Sequence, residues 1–400
     1  MQDNGHPLGV CPVRPGPVNS KVFGLRHGLI LLFSELRYLI SFSEANLRLF
    51  RHSKVPLDEG VGKLYIWLEV TLGLRAMSDR PEISGWNHIP DVPIQTSPFF
   101  SWPLDPLKIY HWMAARWLAV AENTILLLIV FVSWTWFQPS LDETKTLAFD
   151  WIAQIWLRNI VLLTLVAGGL HWFFYARSAQ GDQLKFDPRK LMYKGRKFSF
   201  GGQLRDNMFW SLVSGVSFWT AYEVLLFWAM GNGYAPVMLP LENPVLFILW
   251  FLLTPVWISF HFYWIHRLIH WGPLYGWVHA LHHRNINVGP WSGLSMHPVE
   301  HLLYFSSILI HIIVPTHPLH ILFHMQSQGL QAASSHTGYE SLLIKDKAAL
   351  DLGTFHHQMH HRYFEVNYGN LEVPWDQWFG TFHDGTVESH ERLKDRRGRH

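Results

Sequence analysis

Cysteine is almost missing from this chain: Cys11 is the only one in 400 residues. One thiol excludes an internal disulfide, a four-cysteine iron–sulfur cluster and a thiolate-ligated haem in its usual context. Charge is also scarce. Asp, Glu, Lys and Arg make up 16% of the residues, against roughly 25% in soluble globular chains. The net charge of +2 is not gathered into a basic stripe, so no nucleic-acid partner is expected. The stretch after Met1 is polar and rich in Pro and Gly, without an apolar run, so no signal peptide is expected. There is no HExxH motif, no GxGxxG after a strand, no P-loop and no internal repeat.

Apolar and aromatic residues are abundant. They reach 49% and 15%, with 21 Trp and 27 Phe, the composition of a polytopic membrane protein with aromatic belts. A bilayer core takes about 20 mostly apolar residues per helix, and four segments qualify: 120–138, 154–175, 207–230 and 244–265. The last contains Pro255, where a kink is expected. The apolar segment 301–335 is interrupted by VPTHP at 314–318 and reads as a re-entrant hairpin or two short helices. Residues 1–20 read as disordered. Residues 22–50, broken by Arg26, Glu35, Arg37, Glu44 and Arg48, read as an amphipathic interfacial helix. Residues 51–117 carry too many prolines for a long helix. The chain therefore divides into an N-terminal extension, 1–117, cytosolic or interfacial and without assigned function, and a membrane-embedded domain, 118–400. The loop 176–206 holds eight Lys and Arg, whereas 139–150 and 231–243 hold only Lys145 between them. By the positive-inside rule 176–206 faces the cytosol, and the fourth span returns there at His266. Glu223, inside the third span, is either functional or a buried hydrogen-bonding group.

Seventeen of the 26 histidines lie between residues 261 and 361. They form HRLIH at 266–270, HALHH at 279–283, HPVEH at 297–301, the lone His336 and HHQMHH at 356–361. His266 and His270 are four apart. His279, His282 and His283 follow an i, i+3, i+4 pattern, as do His357, His360 and His361, which on a helix turns the imidazoles to one face. Neutral imidazole ligates Fe, Zn, Cu and Ni. Eight clustered histidines exceed the four ligands of a zinc site, so two metals sharing a histidine cage is the economical reading. His261, His311, His317, His320 and His324 stand among apolar residues outside the pattern and read as structural. Iron suits a histidine-rich membrane site doing O₂ chemistry, with zinc open on ligand type alone. Such chemistry oxidises an unactivated C–H bond. Whether it ends in an alcohol or a double bond is not written in the sequence.

HRLIH, HALHH and HHQMHH, in this order after paired spans, resemble the fatty acid hydroxylase / sterol desaturase superfamily of membrane di-iron oxidoreductases. The stretch HHRYFEVNYGNLEVPWDQWFGTF at 360–382 resembles the sterol C-5 desaturases (lathosterol oxidases) within it. HPVEH and HTGY at 336–339 resemble segments of C-5 desaturases and C-4 methylsterol oxidases. The resemblance covers about residues 195–385. It implies an all-α, polytopic membrane fold: about four transmembrane helices, a re-entrant hairpin, and a cytosolic helical cap carrying a di-metal site. It implies as metal ligands His266, His270, His279, His282, His283, His357, His360 and His361, with His297 and His336 as further ligands and His301 and His356 as weaker matches. It implies two iron ions, O₂ as cosubstrate, and a membrane lipid substrate, sterol or fatty acyl. Without an HPGG haem motif, electrons are expected from an external redox protein such as cytochrome b5 or ferredoxin with its reductase. The membrane would be the endoplasmic reticulum in a eukaryote and the plasma membrane in a bacterium. Two other readings compete: a histidine-rich metal transporter, whose ligands would lie at the bilayer midplane, and an inactive relative that only binds lipid.

Overall fold

The structure is a computed structural model and describes residue 83 and residues 85–398. Cys11, the segment 1–20 and the interfacial helix expected at 22–50 lie outside the described residues. Residues Pro81–His400 form one compact unit. Residues 85–117, which the sequence groups with the extension, therefore pack with the remainder. The Asn87 amide donates to Phe186 O at 2.8 Å, and Arg116 pairs with Glu372 at 3.1 Å.

The architecture is helical. Helix α1 (Pro106–Trp117) is capped by Asp105, whose carboxylate accepts from the amides of Leu107 and Lys108. It bends by 41° into α2 (Glu122–Phe137), and the pair together is apolar enough to span a membrane. Three further helices qualify alone: α3 (Phe149–Ala176), α4 (Gln203–Gly231) and α5 (Pro244–Ile269). The four segments expected as spans are thus helical: three helices exceed the expected bounds, and the first, Glu122–Phe137, falls slightly inside the expected 120–138. Helix α5 runs unbroken through Pro255. Its best apolar window is only 17% buried, and Ile248, Leu253 and Trp264 stand exposed. An apolar face of that length in contact with nothing fits lipid rather than water.

Helices α6 (Pro298–Phe305) and α7 (Pro318–Ser335) flank the VPTHP break, with 3₁₀ turns at Ser306–Ile312 between them. Helix α7 is buried along almost its whole length. Close approach makes this packing work: a Cβ on Gly329 would meet the Trp219 ring at 2.5 Å, so only glycine lets α7 lie against α4. Among the described residues, strand is confined to one hairpin, β1 (Ser341–Ile344) and β2 (Lys347–Asp351). Its turn residues Lys345 and Asp346 both have positive φ, the conformation of a type I′ turn. The hairpin lies outside the spanning helices, so the rule against open sheet edges in lipid is kept. Helix α8 (Phe355–Tyr363) carries the last histidine cluster, and α9 (Val387–Arg397) ends the described chain.

Glu223 has a structural role. It is fully buried and accepts from Arg158, from Trp219 Nε1 at 2.9 Å and from Asn159 Nδ2 at 3.1 Å. A charge at membrane depth is tolerated when it is paired and hydrogen-bonded in this way.

Candidate metal centre

Nine of the ten histidines read from the sequence as ligands come together in two groups. His266, His270, His279, His283 and His360 form one, and His282, His336, His357 and His361 the other; within each group the ligand atoms all lie within 4.8 Å of one another. Local geometry explains the partition. His266 and His270 are one turn apart at the end of α5 and join the same group. The segment 275–284 is not a regular helix: Tyr275–His279 is a π-helical turn and His282–Arg284 a 3₁₀ turn. His279 and His283 face one group, and His282 the other. On α8, His357 and His361 share a face, while His360 points to the first group. The two groups touch, with the His283 and His361 rings 4.8 Å apart and those of His279 and His282 5.4 Å apart.

His297 lies outside both groups. As N-cap of α6, its Nδ1 accepts from the Val299 amide at 3.2 Å, and only part of its ring is buried. His301 is satisfied by Ser214 Oγ and Leu294 O, both at 3.0 Å. His356 sits 3.7 Å from Asp376. His311 and His324 join Ser307 and Thr316 in a buried hydrogen-bond chain. His261 meets Ser306 Oγ at 2.9 Å, His317 caps α7 and His320 donates to Phe247 O, as structural histidines should.

Four of the nine rings are oriented by close acceptors outside the groups, whereas Nδ1 of His283 and of His361 is buried with no partner among the described residues. His266 Nδ1 donates to Tyr368 O at 2.6 Å, His360 Nδ1 to Val366 O at 2.7 Å and His336 Nδ1 to Ala332 O at 2.8 Å. His279 Nδ1 donates to Glu300 Oε1 at 2.8 Å. A carbonyl oxygen can only accept, so the proton sits on Nδ1 and the Nε2 lone pair points inward. Glu300 is thus the orienting carboxylate among the acidic residues near the clusters. Glu340 meets His88 and Glu365 meets Arg397. Asp376 accepts from the amides of Tyr368 and Gly369 and from Thr381 Oγ1, and Asn367 ties His356 O to the His383 backbone. These two residues fix the loop that presents the Tyr368 and Val366 carbonyls. Backbone acceptors leave no mark in a residue pattern, which is why sequence reasoning missed them.

Inside each group the nitrogens nearly touch. His266 and His279 Nε2 are 3.1 Å apart, as are His270 and His283, His283 and His360, and His336 and His361; His336 and His357 are at 3.0 Å. Where both Nδ1 atoms hold the protons, as in His266 and His279, two lone pairs face each other and no hydrogen bond can form. Imidazolium is disfavoured too. Burial, then the neighbouring imidazoles, push His279, His283, His336, His357, His360 and His361 well below the usual range, and burial brings His282 down to about 4. Burial drives Glu300 the other way, well above the usual carboxylate range. Seven of the nine rings are 4% exposed or less. Ligand nitrogens about 2.1 Å from one cation at right angles stand about 3.0 Å apart. The donor set therefore fits one cation per group, and the fit relieves the lone-pair contacts.

A cavity of about 390 Å³ reaches both groups, touching His266, His279, His282, His336 and His357. Pro255, Ile258, Phe262, Ile265 and Ile269 of α5 line it, spaced as one helix face. The same helix that faces lipid outward thus builds an apolar wall leading to the imidazoles.

A family model described as fatty acid hydroxylase matches residues 250–381. The chain is similar to a Delta(7)-sterol-C5(6)-desaturase of Nicotiana tabacum, 28% identical over 34% of this chain and 50% of the relative. It is similar to a Delta(7)-sterol 5(6)-desaturase of Saccharomyces cerevisiae, 31% identical over 30% of this chain and 32% of the relative. It is also similar to a methylsterol monooxygenase of Aspergillus fumigatus, 31% identical over 34% of this chain and 45% of the relative. The chain thus spans half or less of the length of these relatives. No solved structure matches it.

Proposed function

We propose that this chain is a membrane oxidoreductase that uses O₂ and two irons to desaturate a sterol. The observation that carries the reading is the junction of two buried imidazole groups with an apolar cavity walled by a lipid-facing helix. An apolar substrate can then reach the site without crossing water. The sterol assignment rests on the desaturases and the methylsterol monooxygenase to which about a third of the chain is similar.

His266, His270, His279, His283 and His360 would hold one metal, and His282, His336, His357 and His361 the other. Iron bound there supplies O₂ activation and oxidation of an unactivated C–H bond. The protein's part is to hold the Nε2 lone pairs inward through Glu300 and the three carbonyls, and to exclude water. Two hydrogens leave adjacent ring carbons; with two electrons and two protons from outside, O₂ is reduced to two waters. Tyr275, Phe364 and Tyr368 pack against the rings of the first group at centroid distances of 4.9–6.1 Å. Electrons come from an external redox protein, cytochrome b5 or a ferredoxin with its reductase. The charge of loop 176–206 supports a cytosolic imidazole cap, and the break between α6 and α7 a re-entrant hairpin.

The fatty acid hydroxylase description of residues 250–381 favours a second reading, hydroxylation of a fatty acyl or sphingolipid chain. Lipid mass spectrometry after expression in a host lacking sterol C-5 desaturation separates the two. A sterol two hydrogens lighter than its precursor is the expected product. An acyl chain one oxygen heavier, with sterols unchanged, would overturn the sterol assignment.

A further inference from the structure

The cavity has a polar patch that metal binding does not use. It is lined by Arg116, Glu122, Asn123, Asp351 and Glu372 as well as by the imidazoles. Three of these residues come from the α1–α2 bend, outside the fatty acid hydroxylase match at 250–381. Most of the patch is internally satisfied. Arg116 pairs with Glu372 at 3.1 Å and stacks over Trp112, Asn123 accepts from Gln331 at 3.0 Å, and Asp351 accepts from Ser341 Oγ at 2.7 Å. Glu122 Oε1 differs. It is sealed from solvent and, although the Ser334 hydroxyl lies close to the carboxyl, it has no hydrogen-bond partner among the described residues. A buried carboxyl oxygen without a donor keeps the whole penalty of its lost hydration, so it should have one when the cavity is filled.

We infer that Glu122 receives the hydroxyl of a neutral lipid alcohol held in the cavity, and so determines which lipids the site accepts. The donor must come from the ligand, because the Ser334 hydroxyl is donated to Gln331 O at 3.2 Å and Arg116, the cation of the patch, is engaged by Glu372. For the same reason an anionic head, a fatty acid carboxylate or a phosphate, would meet Glu122, Asp351 and Glu372 with no free positive charge. Repulsion excludes it, and a hydroxyl satisfies Oε1. This rests on the lipid-oxidation reading and adds the chemistry of the substrate's polar end.

The test measures binding of labelled ligands to the full chain in nanodiscs. The probes are a 3-hydroxysterol, its 3-deoxy analogue and palmitate. The parent should prefer the hydroxysterol over the deoxysterol at least about tenfold, and palmitate should not compete. Losing that hydrogen bond in Glu122→Leu should weaken hydroxysterol binding about tenfold and leave the deoxysterol unchanged. Glu122→Gln, which keeps an acceptor, should fall between. Unaltered metal content certifies the fold of each variant. A Glu122→Leu protein that keeps the parent's preference, a parent without preference, or palmitate competing as well as the sterol overturns the inference. Lipid turnover without hydroxyl preference would sink the inference and spare the oxidoreductase reading; preference without turnover would do the reverse.

Discussion

Replacing Glu300 with leucine should cost the five-imidazole group about one to two decades of metal affinity. Glu300 is 2% exposed and its Oε1 accepts from His279 Nδ1 at 2.8 Å. Its other oxygen has no partner, so the substitution strands one donor, the His279 Nδ1–H, inside a ring that is 1% exposed. An orphaned buried donor costs about 1–3 kcal/mol. Loss of a partner that orients a ligating histidine costs about 10–100-fold in metal affinity, which is about 1.4–2.7 kcal/mol. The two routes agree. Glu300→Gln keeps an acceptor at the same place and should lose less than about tenfold. The assay is iron retained against rising chelator concentration. Release should become biphasic in Glu300→Leu: the metal of the His279 group leaves early, and the metal held by His282, His336, His357 and His361 leaves at the parental midpoint. Identical release of both metals in parent and variant would refute the orienting role of Glu300.

His360→Ala and His282→Ala strike different groups, so each should abolish turnover and lower the metal content from about two to about one equivalent; two metals persisting in either removes that residue from the ligands. His297→Ala removes only a helix cap, so elemental analysis should find both metals, with stability down about 1 kcal/mol. A Cβ on Gly293 would lie 2.0 Å from Ala332 O, the acceptor that orients His336. Gly293→Ala should therefore destabilise the fold by about 1–3 kcal/mol and reduce metal content together, which thermal melting and elemental analysis check. Arg158→Leu leaves Glu223 buried and unpaired, at about 3–5 kcal/mol. Adding Glu223→Leu should recover part of the loss in the melting temperature, and a double variant no better than the single one would contradict the pairing.

Nine of the clustered histidines and the segments able to span a membrane were legible in the sequence, because both are local properties. An i, i+4 pair such as His266 and His270 shares a helix face wherever the helix goes, and a run of apolar residues such as 244–265 needs no partner to be lipid-compatible. His297 shows the limit. Its motif, HPVEH, has the right residue types, but the Pro298 helix start turns its Nδ1 to the Val299 amide.

The partition of the histidines was decided by tertiary structure alone. HALHH and HHQMHH each split across both groups because a π turn followed by a 3₁₀ turn sets His282 apart from His279 and His283, and because α8 lies between the two groups. Which carboxylate orients a ring depended on chain segments meeting in space: Glu300 reaches His279, whereas Glu340 and Glu365 turn to His88 and Arg397. The Tyr368, Val366 and Ala332 carbonyls are invisible in any residue pattern, since every residue has one. The α1–α2 bend joins the cavity only through long-range contacts such as Arg116 with Glu372. Composition and spacing determined which side chains were available; the packing of distant segments decided which nitrogen joins which histidine group and which carboxyl is left without a partner among the described residues, because a sequence records neighbours along the chain and not across it.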